Sequence, residues 1–183
     1  INNLIYDPQY RAVHYNLMDL EWAGHEPVDG KLTAIGNVMR GGVSTDPDLP
    51  FLMIGGVGDL LYYGRDNIAV DRLGNDLPMF GRYGVTRAQI REQDAPLHDL
   101  EGYDILETVD VETVLLATSG ARPWDRSEME IRVLFYIAEG RGEVIDSEEE
   151  VGGYPTFEST SAPFDPAAWN MESLVPLSGR WPG

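Results

Sequence analysis

The residues of this sequence that are best suited to bind an anion are crowded near its start, at Tyr10, Arg11, His14, Tyr15 and Asn16. If residues 12–17 form a strand, His14 and Asn16 lie on one face, because successive side chains of a strand point to opposite faces. Arg11 can pair with a carboxylate through parallel hydrogen bonds, and a tyrosine can stack on a sugar ring. We therefore predict that Arg11, His14 and Tyr15 bind an acidic sugar.

The same residues also fit a structural role, and the sequence leaves this alternative open. Val13, Tyr15 and Leu17 would then form the buried face of the strand. His14 would be a surface histidine, or one whose hydrogen bonds are satisfied within the protein.

Two more cations and one aromatic pair are weaker candidates for the same ligand. Arg40 ends a second apolar segment and Lys31 begins it, so both are candidates for contact with an anion or ordinary exposed charges. Arg40 is the stronger of the two and is predicted as a substrate-binding residue. Trp22 and His25 would form a platform for a sugar, unless Trp22 only pins its loop to the protein.

Several other chemistries lack the residues that they need. Without cysteine the chain can form neither a disulfide nor a thiolate metal site. The three histidines do not form an HExxH motif, and Asp46, Asp48 and Asp59 lack the spacing of an EF-hand loop. The paired glycines match no nucleotide-binding motif. We predict no catalytic residue and no metal ligand within this chain.

Length and charge narrow the class of protein further. The 183 residues, 43% hydrophobic and 24% charged, suit one globular domain or one domain with a tail, and no apolar run reaches the roughly 18 residues of a membrane span. A formal net charge of −18 argues against a nucleic-acid partner. The acidic excess lies mainly in the second half, so an anionic ligand would bind in the first half.

Short β-rich pieces separated by Gly, Pro and Asp dominate the first part of the chain. Six strands are predicted, at Ile1–Tyr6, Ala12–Leu17, Leu32–Met39, Phe51–Ile54, Leu60–Tyr63 and Ile68–Val70. No strong two-residue hairpin turn joins them, which favours parallel stacking over a meander. Asn3, Asn37 and Asn67 each precede two apolar residues, and stacked strands would let their side-chain amides form a ladder.

The later part of the chain divides into three segments. Residues 72–105 are predicted to be an extended wrapping segment, residues 106–142 a helical hairpin, and residues 143–183 an acidic, Pro-rich tail. The first helix is predicted to begin after an N-cap at Asp110. The second is predicted to begin with a capping box of Ser127 and Glu130. The apolar stripes of both helices are predicted to pack against the β part.

Two blocks of the sequence resemble a known family. "INNLIYDPQYRAVHYN" followed by "GNVMRGGVST" resembles the "NNVIYN" strand, Tyr-rich piece and "NYYKPGPST" of bacterial pectate lyases. "VLLATSGARPWDRSEMEIRVLFYIAEGRGEVIDSEEEVGGYP" is similar to the "VLANAGA…RDAVDARIV…GTGRIIDS…EVGG(W/Y)P" ending of the same polysaccharide lyases. The resemblance covers residues 1–70 and 106–155.

The resemblance implies a right-handed parallel β-helix, whose late coils would be residues 1–71. It implies a secreted protein that cleaves a polyuronate such as pectate by β-elimination with the help of Ca²⁺. The arginine base of the family, in an R-N-P context, and its calcium-binding aspartates come before the "NNVIYN" strand. We therefore expect the catalytic groups and Ca²⁺ ligands to lie before Ile1, in a longer protein.

Two function classes follow from these expectations. The first is the C-terminal part of a polysaccharide lyase. The second is a non-catalytic β-helix module that binds carbohydrate or assembles with like chains, since a fold alone does not decide function. In either case the expected partners are an acidic polysaccharide and either upstream coils or a partner chain.

Overall fold

The structure is a computed structural model that describes residues 1–158 and 164–179. It contains two compact units, Ile1–Val144 and Ile145–Gly183. Residues 159–163 and 180–183 of the predicted tail lie outside the described residues. No helix in the described ranges is both long enough and apolar enough to span a bilayer.

The first unit is built from nine short strands in three parallel sheets. The strands are β1 (Leu4–Tyr6), β2 (Val13–Leu17), β3 (Gly30–Ile35), β4 (Val38–Arg40), β5 (Leu52–Gly56), β6 (Leu60–Arg65), β7 (Ile68–Val70), β8 (Phe80–Thr86) and β9 (Ile90–Glu92). Sheet 1 has the order β1-β4-β7, sheet 2 the order β2-β5-β8 and sheet 3 the order β3-β6-β9. Each of the strands β1–β6 pairs with the strand three places later in the chain. The protein is therefore mainly β, with parallel sheets and two helices.

The core lies between the sheets and is best buried at the second set of strands, β4–β6. Met39, Leu52, Ile54, Leu60 and Tyr62 all belong to this set and are almost completely buried. Each of these strands is paired on both sides, so neighbouring strands cover its inward side chains. The strands β1–β3 have a neighbour on one side only, and their inward side chains Ile5, Val13 and Leu32 are half-buried, whereas Ala34 of β3 is buried.

The predicted asparagine ladder is confirmed. The side-chain amide of Asn3 donates to Asn37 Oδ1, and that of Asn37 donates to Asn67 Oδ1, each at 2.7 Å. The backbone N–H groups of Asn3 and Asn37 donate to the same two oxygens at 3.1 Å. Asn67 closes the ladder by donating to the carbonyl of Ala34 at 2.8 Å. The ladder satisfies polar groups at the bend that precedes each strand of sheet 1.

Two predicted β segments differ from the structure. The predicted strand Leu32–Met39 is two strands, because Gly36 adopts a left-handed φ of 60° and turns the chain from sheet 3 into sheet 1. Residues 72–105, predicted to be an extended wrapping segment, contain β8 and β9, which extend sheets 2 and 3.

Two helices follow, α1 (Thr108–Thr118) and α2 (Glu128–Ala138). The predicted N-cap of α1 at Asp110 is wrong. The N-cap is Glu107, whose side chain makes no capping bond, and the Thr108 hydroxyl donates instead to the carbonyl of Asp66 at 2.6 Å. A contact with the β part therefore sets the start of α1. The capping box of α2, formed by Ser127 and Glu130, is confirmed.

The two apolar helix stripes pack differently from one another. Val111 of α1 is fully buried, and α1 contacts β1 and β4, as predicted. The equivalent prediction for α2 is wrong in part, because α2 buries no residue completely and leaves Ile131 and Phe135 about half exposed. In the apolar stripe of α2, Leu134 is half-buried and the other residues of the stripe are exposed.

Replacing Ser127 by Ala is expected to lower the free energy of unfolding by about 1 kcal/mol. The substitution removes the hydroxyl that accepts from Glu130 N–H and the bond to the Glu130 carboxylate. Urea unfolding followed by circular dichroism measures the loss, and Ser173→Ala in the second unit is the control. An unchanged midpoint would mean that the capping box does not stabilise α2.

The second unit is small and irregular where it is described. It contains two short 3₁₀ turns, Glu148–Val151 and Pro166–Ala168, and an antiparallel pair of strands, β10 (Trp169–Asn170) and β11 (Val175–Pro176). The Ser147 hydroxyl caps the first of these turns, in which Glu149 and Glu150 are exposed and Glu148 is half-buried.

Candidate functional site

The outer face of sheet 2 brings together Arg11, His14 and Tyr83. The rings of His14 and Tyr83 meet edge to face with centroids 5.4 Å apart. The Arg11 guanidinium carbon lies 5.8 Å from the centroid of the Tyr83 ring, within the range of a cation–π contact. His14 and Asn16 are exposed on this face, as their alternation along the strand predicts. Two exposed side chains, Arg11 and His14, and the half-buried Tyr83 form a cationic and aromatic surface in a strongly acidic protein.

Tyr83 lies where β8 is irregular. The register between β5 and β8 shifts between Ile54 and Gly56, opposite Tyr83. Such a bulge redirects side chains. Tyr83 lies against Gly55, where a Cβ atom would come within 2.8 Å of the tyrosine ring. The Tyr83 hydroxyl is buried and has no hydrogen-bond partner among the described residues.

The surroundings of His14 favour the neutral imidazole. Partial burial lowers the pKa of His14 below its usual 6.5, and the positive charge of Arg11 lowers it further. A histidine with a lowered pKa stays neutral to a more acidic pH than an unperturbed histidine. His14 can therefore both donate and accept a hydrogen bond near neutral pH, which suits contact with sugar hydroxyl groups.

Tyr15 does not join this surface. Its ring points inward and packs against Gly30, and its hydroxyl donates to the carbonyl of Asp59 at 3.3 Å. Burial raises the pKa of Tyr15. The structure thus places Tyr15 in the structural role that the sequence had left open.

Arg40 is also separate from this surface and is engaged in other contacts. It lies on sheet 1, where it pairs with Glu112 of α1 at 3.0 Å and donates to the carbonyl of Ile137 in α2. Its guanidinium carbon lies 5.0 Å from the centroid of the Tyr6 ring. These contacts join both helices to sheet 1 and give Arg40 a structural role, and its predicted contact with an anion stays a prediction.

A cleft of about 270 Å³ adjoins the surface at the end of β2. Asn16 forms part of its wall, and Asp19 and Arg87 lie at its rim, where they form an ion pair of 2.7 Å. Apolar side chains complete the lining, namely the exposed Met18, Leu20 and Val85 and the half-buried Val57. The cleft continues the exposed face of β2 beyond Asn16.

The other predicted candidates lie elsewhere. The rings of Trp22 and His25 are 5.5 Å apart, and the Trp22 indole N–H donates to the carbonyl of Glu26, so this pair braces its own loop. Lys31 lies on sheet 3 with an exposed side chain. Within residues 1–158 and 164–179, no three His, Asp or Glu side chains are grouped as a metal site requires. The described residues thus offer no ligand set that fits the Ca²⁺ implied by the resemblance.

Comparison with protein-family models, with curated proteins and with solved structures finds no match for this chain. The pectate-lyase likeness therefore rests on the sequence segments quoted above.

Proposed function

We propose that this chain binds an acidic polysaccharide along the outer face of sheet 2, as part of a secreted polysaccharide lyase-like protein. The observation that carries the proposal is the cluster of Arg11, His14 and Tyr83 on one exposed face. Among the described residues, no carboxylate lies within ion-pair distance of Arg11, although the chain is strongly acidic. Arg11 is therefore available for a carboxylate of the ligand, while the neighbouring rings offer stacking surfaces and a hydrogen-bonding group.

The fold proposed for this function is a right-handed parallel β-helix. Its support is the parallel pairing of each of β1–β6 with the strand three places later, together with the asparagine ladder between successive strands of sheet 1. In such a fold, each sheet presents a long flat face on which a polymer can lie across several strands. Sheet 2 carries the cationic and aromatic groups on such a face.

The proposed contribution of this chain to lyase chemistry is binding. In β-elimination the uronate carboxylate must be neutralised and the C5 proton removed by a base. Arg11 can contribute to neutralisation. The base, and the Ca²⁺ that the resemblance implies, belong in this proposal to a longer protein that contains this chain, so we assign no step to Ca²⁺ here.

Replacing Arg11 by Ala is expected to weaken binding of galacturonate oligomers about tenfold, which corresponds to the loss of one charged contact of about 1.4 kcal/mol. Isothermal titration of the full chain with a hexasaccharide of galacturonate measures this effect. Arg72→Ala is the matched control, since Arg72 is an exposed arginine in the turn after β7. Equal affinity of the Arg11→Ala variant and the unchanged chain would contradict the proposed site.

Activity requires a separate measurement. A protein that contains this chain together with the expected catalytic segment should release unsaturated uronate products from polygalacturonate, which are detected by their ultraviolet absorbance. Binding without such products would favour the non-catalytic alternative.

A second candidate function, a module that assembles with like chains or with upstream coils, is favoured by a different observation. The strands β1, β2 and β3 form one edge of each of the three sheets, and their inward side chains Ile5, Val13 and Leu32 are only half-buried. An open edge and a partly exposed core are typical of surfaces that pair with further strands. Concentration-dependent association in sedimentation experiments would support this candidate.

A further inference from the structure

The cleft at the end of β2 shares the exposed face of the proposed binding surface. His14 and Asn16 alternate on this face of β2, and Asn16 then forms part of the cleft wall. Arg11 precedes β2 and Arg87 follows β8, so the two guanidinium groups lie near opposite ends of the sheet. The length of β2 at about 3.3 Å per residue, together with the spacing of the strands, puts them roughly 20 Å apart.

The lining of the cleft matches the chemistry of one uronate unit. Leu20 and Val85 are 84% and 96% exposed, so they offer aliphatic surface to the C–H face of a sugar ring. The Asn16 amide can donate to and accept from hydroxyl groups. Arg87 supplies a cation for the carboxylate. The volume is below the range of about 300–1,000 Å³ typical of drug-sized sites, which suits a single unit of a polymer.

The ion pair at the rim can be exchanged for a ligand. The side chains of Arg87 and Asp19 are each 71% exposed. Pairs exposed to this degree contribute little to stability, because water and salt screen both charges. A carboxylate that brings ring contacts and hydroxyl contacts with it can therefore displace Asp19 from Arg87.

We propose that this cleft is a second uronate subsite, in which the ligand carboxylate replaces Asp19 as the partner of Arg87. This inference rests on the proposed function, because it extends the same polysaccharide from the Arg11 surface into the cleft. Asp19 holds Arg87 in place when the subsite is empty and competes with the ligand when it is present. The subsite therefore contributes to binding only for oligomers that are long enough to extend from Arg11 into the cleft.

The test compares a disaccharide with a hexasaccharide of galacturonate in titrations of the full chain. Arg87→Gln is expected to weaken hexasaccharide binding about threefold to tenfold and to leave disaccharide binding at the Arg11 surface unchanged. Asp19→Asn is expected to strengthen hexasaccharide binding by a few-fold, since Arg87 then loses its competitor. A purely structural ion pair predicts no such gain. Arg72→Ala is again the control.

The outcomes separate this inference from the proposed function. If Arg11→Ala weakens binding but Arg87→Gln and Asp19→Asn leave the hexasaccharide affinity unchanged, the second subsite is wrong and the proposed function stands. If the unchanged chain binds neither oligomer, both proposals are wrong. If both variants weaken binding equally, Asp19 is not a competitor and the exchange is refuted.

Discussion

Replacing Gly56 by Ala is expected to lower the free energy of unfolding by about 3–5 kcal/mol. Gly56 ends β5 with a left-handed φ of 74°, and a Cβ atom there would overlap the carbonyl group of Leu17 in β2. The backbone has little freedom to move away. The Gly56 carbonyl accepts from the N–H groups of Arg87 and Ala88, just after β8, at 3.0 and 3.1 Å. The N–H of Val57 donates to the carbonyl of Leu17 in β2 at 3.0 Å, so hydrogen bonds hold the chain here on both sides.

Gly74→Ala is the matched control for this prediction. Gly74 also has a left-handed φ, of 86°, but no atom lies within 4 Å of its Cβ position. Only the backbone strain remains, so we expect a loss of about 1 kcal/mol. Urea unfolding of both variants measures the difference. Equal losses in the two variants would show that the close approach of Gly56 to Leu17 does not constrain the fold.

Replacing Asn37 by Ala is expected to lower the free energy of unfolding by about 2–4 kcal/mol. Asn37 is 4% exposed and stands in the middle of the asparagine ladder. Its loss removes the acceptor of two Asn3 donors and one of the two donors to Asn67 Oδ1, and it leaves a void at a buried position. Three lost hydrogen bonds and the void together account for the expected effect.

The control for the ladder is Asn16→Ala on the exposed face of β2. Asn16 is an asparagine of the same size in the same unit, but it is exposed, so its removal should change stability by less than about 0.5 kcal/mol. Thermal and urea unfolding of both variants test the comparison. If the Asn37→Ala variant were as stable as the Asn16→Ala variant, the ladder would contribute nothing to the free energy of unfolding.

The sequence was most informative where a pattern repeats. Alternating apolar residues predicted most of the strands β1–β6. The three Asn-apolar-apolar triplets predicted the asparagine ladder between the strands of sheet 1. The capping box of α2 was predictable for a similar reason, because Ser127 and Glu130 satisfy each other locally. Patterns of this kind depend only on neighbouring residues or on a regular period.

Features that depend on distant contacts were missed. The turn at Gly36 was not predicted, because it lies inside an apolar run and has no polar loop around it. A single left-handed glycine is enough to bend the chain there. Strand β8 contains Gly81 and Gly84, which weaken strand propensity, and it forms because β5 offers it an edge. The start of α1 at Thr108 is likewise set by a bond to Asp66.

The candidate site was only half predictable for the same reason. Arg11 and His14 are close in sequence, so the alternation of one strand places them together. Tyr83 and Arg87 are brought to the same face by the irregular strand β8, and no spacing in the sequence indicates this. The Arg-Tyr-Gly-Val segment that starts at Arg82 offers, in retrospect, only the weak signal of an aromatic residue next to a glycine.

The parallel pairing of the strands also determines where the chain can accept inserted residues. Val13 of β2 pairs with Leu52 of β5, and Leu52 pairs with Phe80 of β8. The chain between Leu52 and Phe80 is shorter than the chain between Val13 and Leu52. Both ladders are nevertheless parallel, because the extra residues leave the sheets in loops between strands. Loop length is thus uncoupled from strand register. Residues can therefore be inserted in the β2–β3 and β4–β5 connections while the sheets keep their pairing.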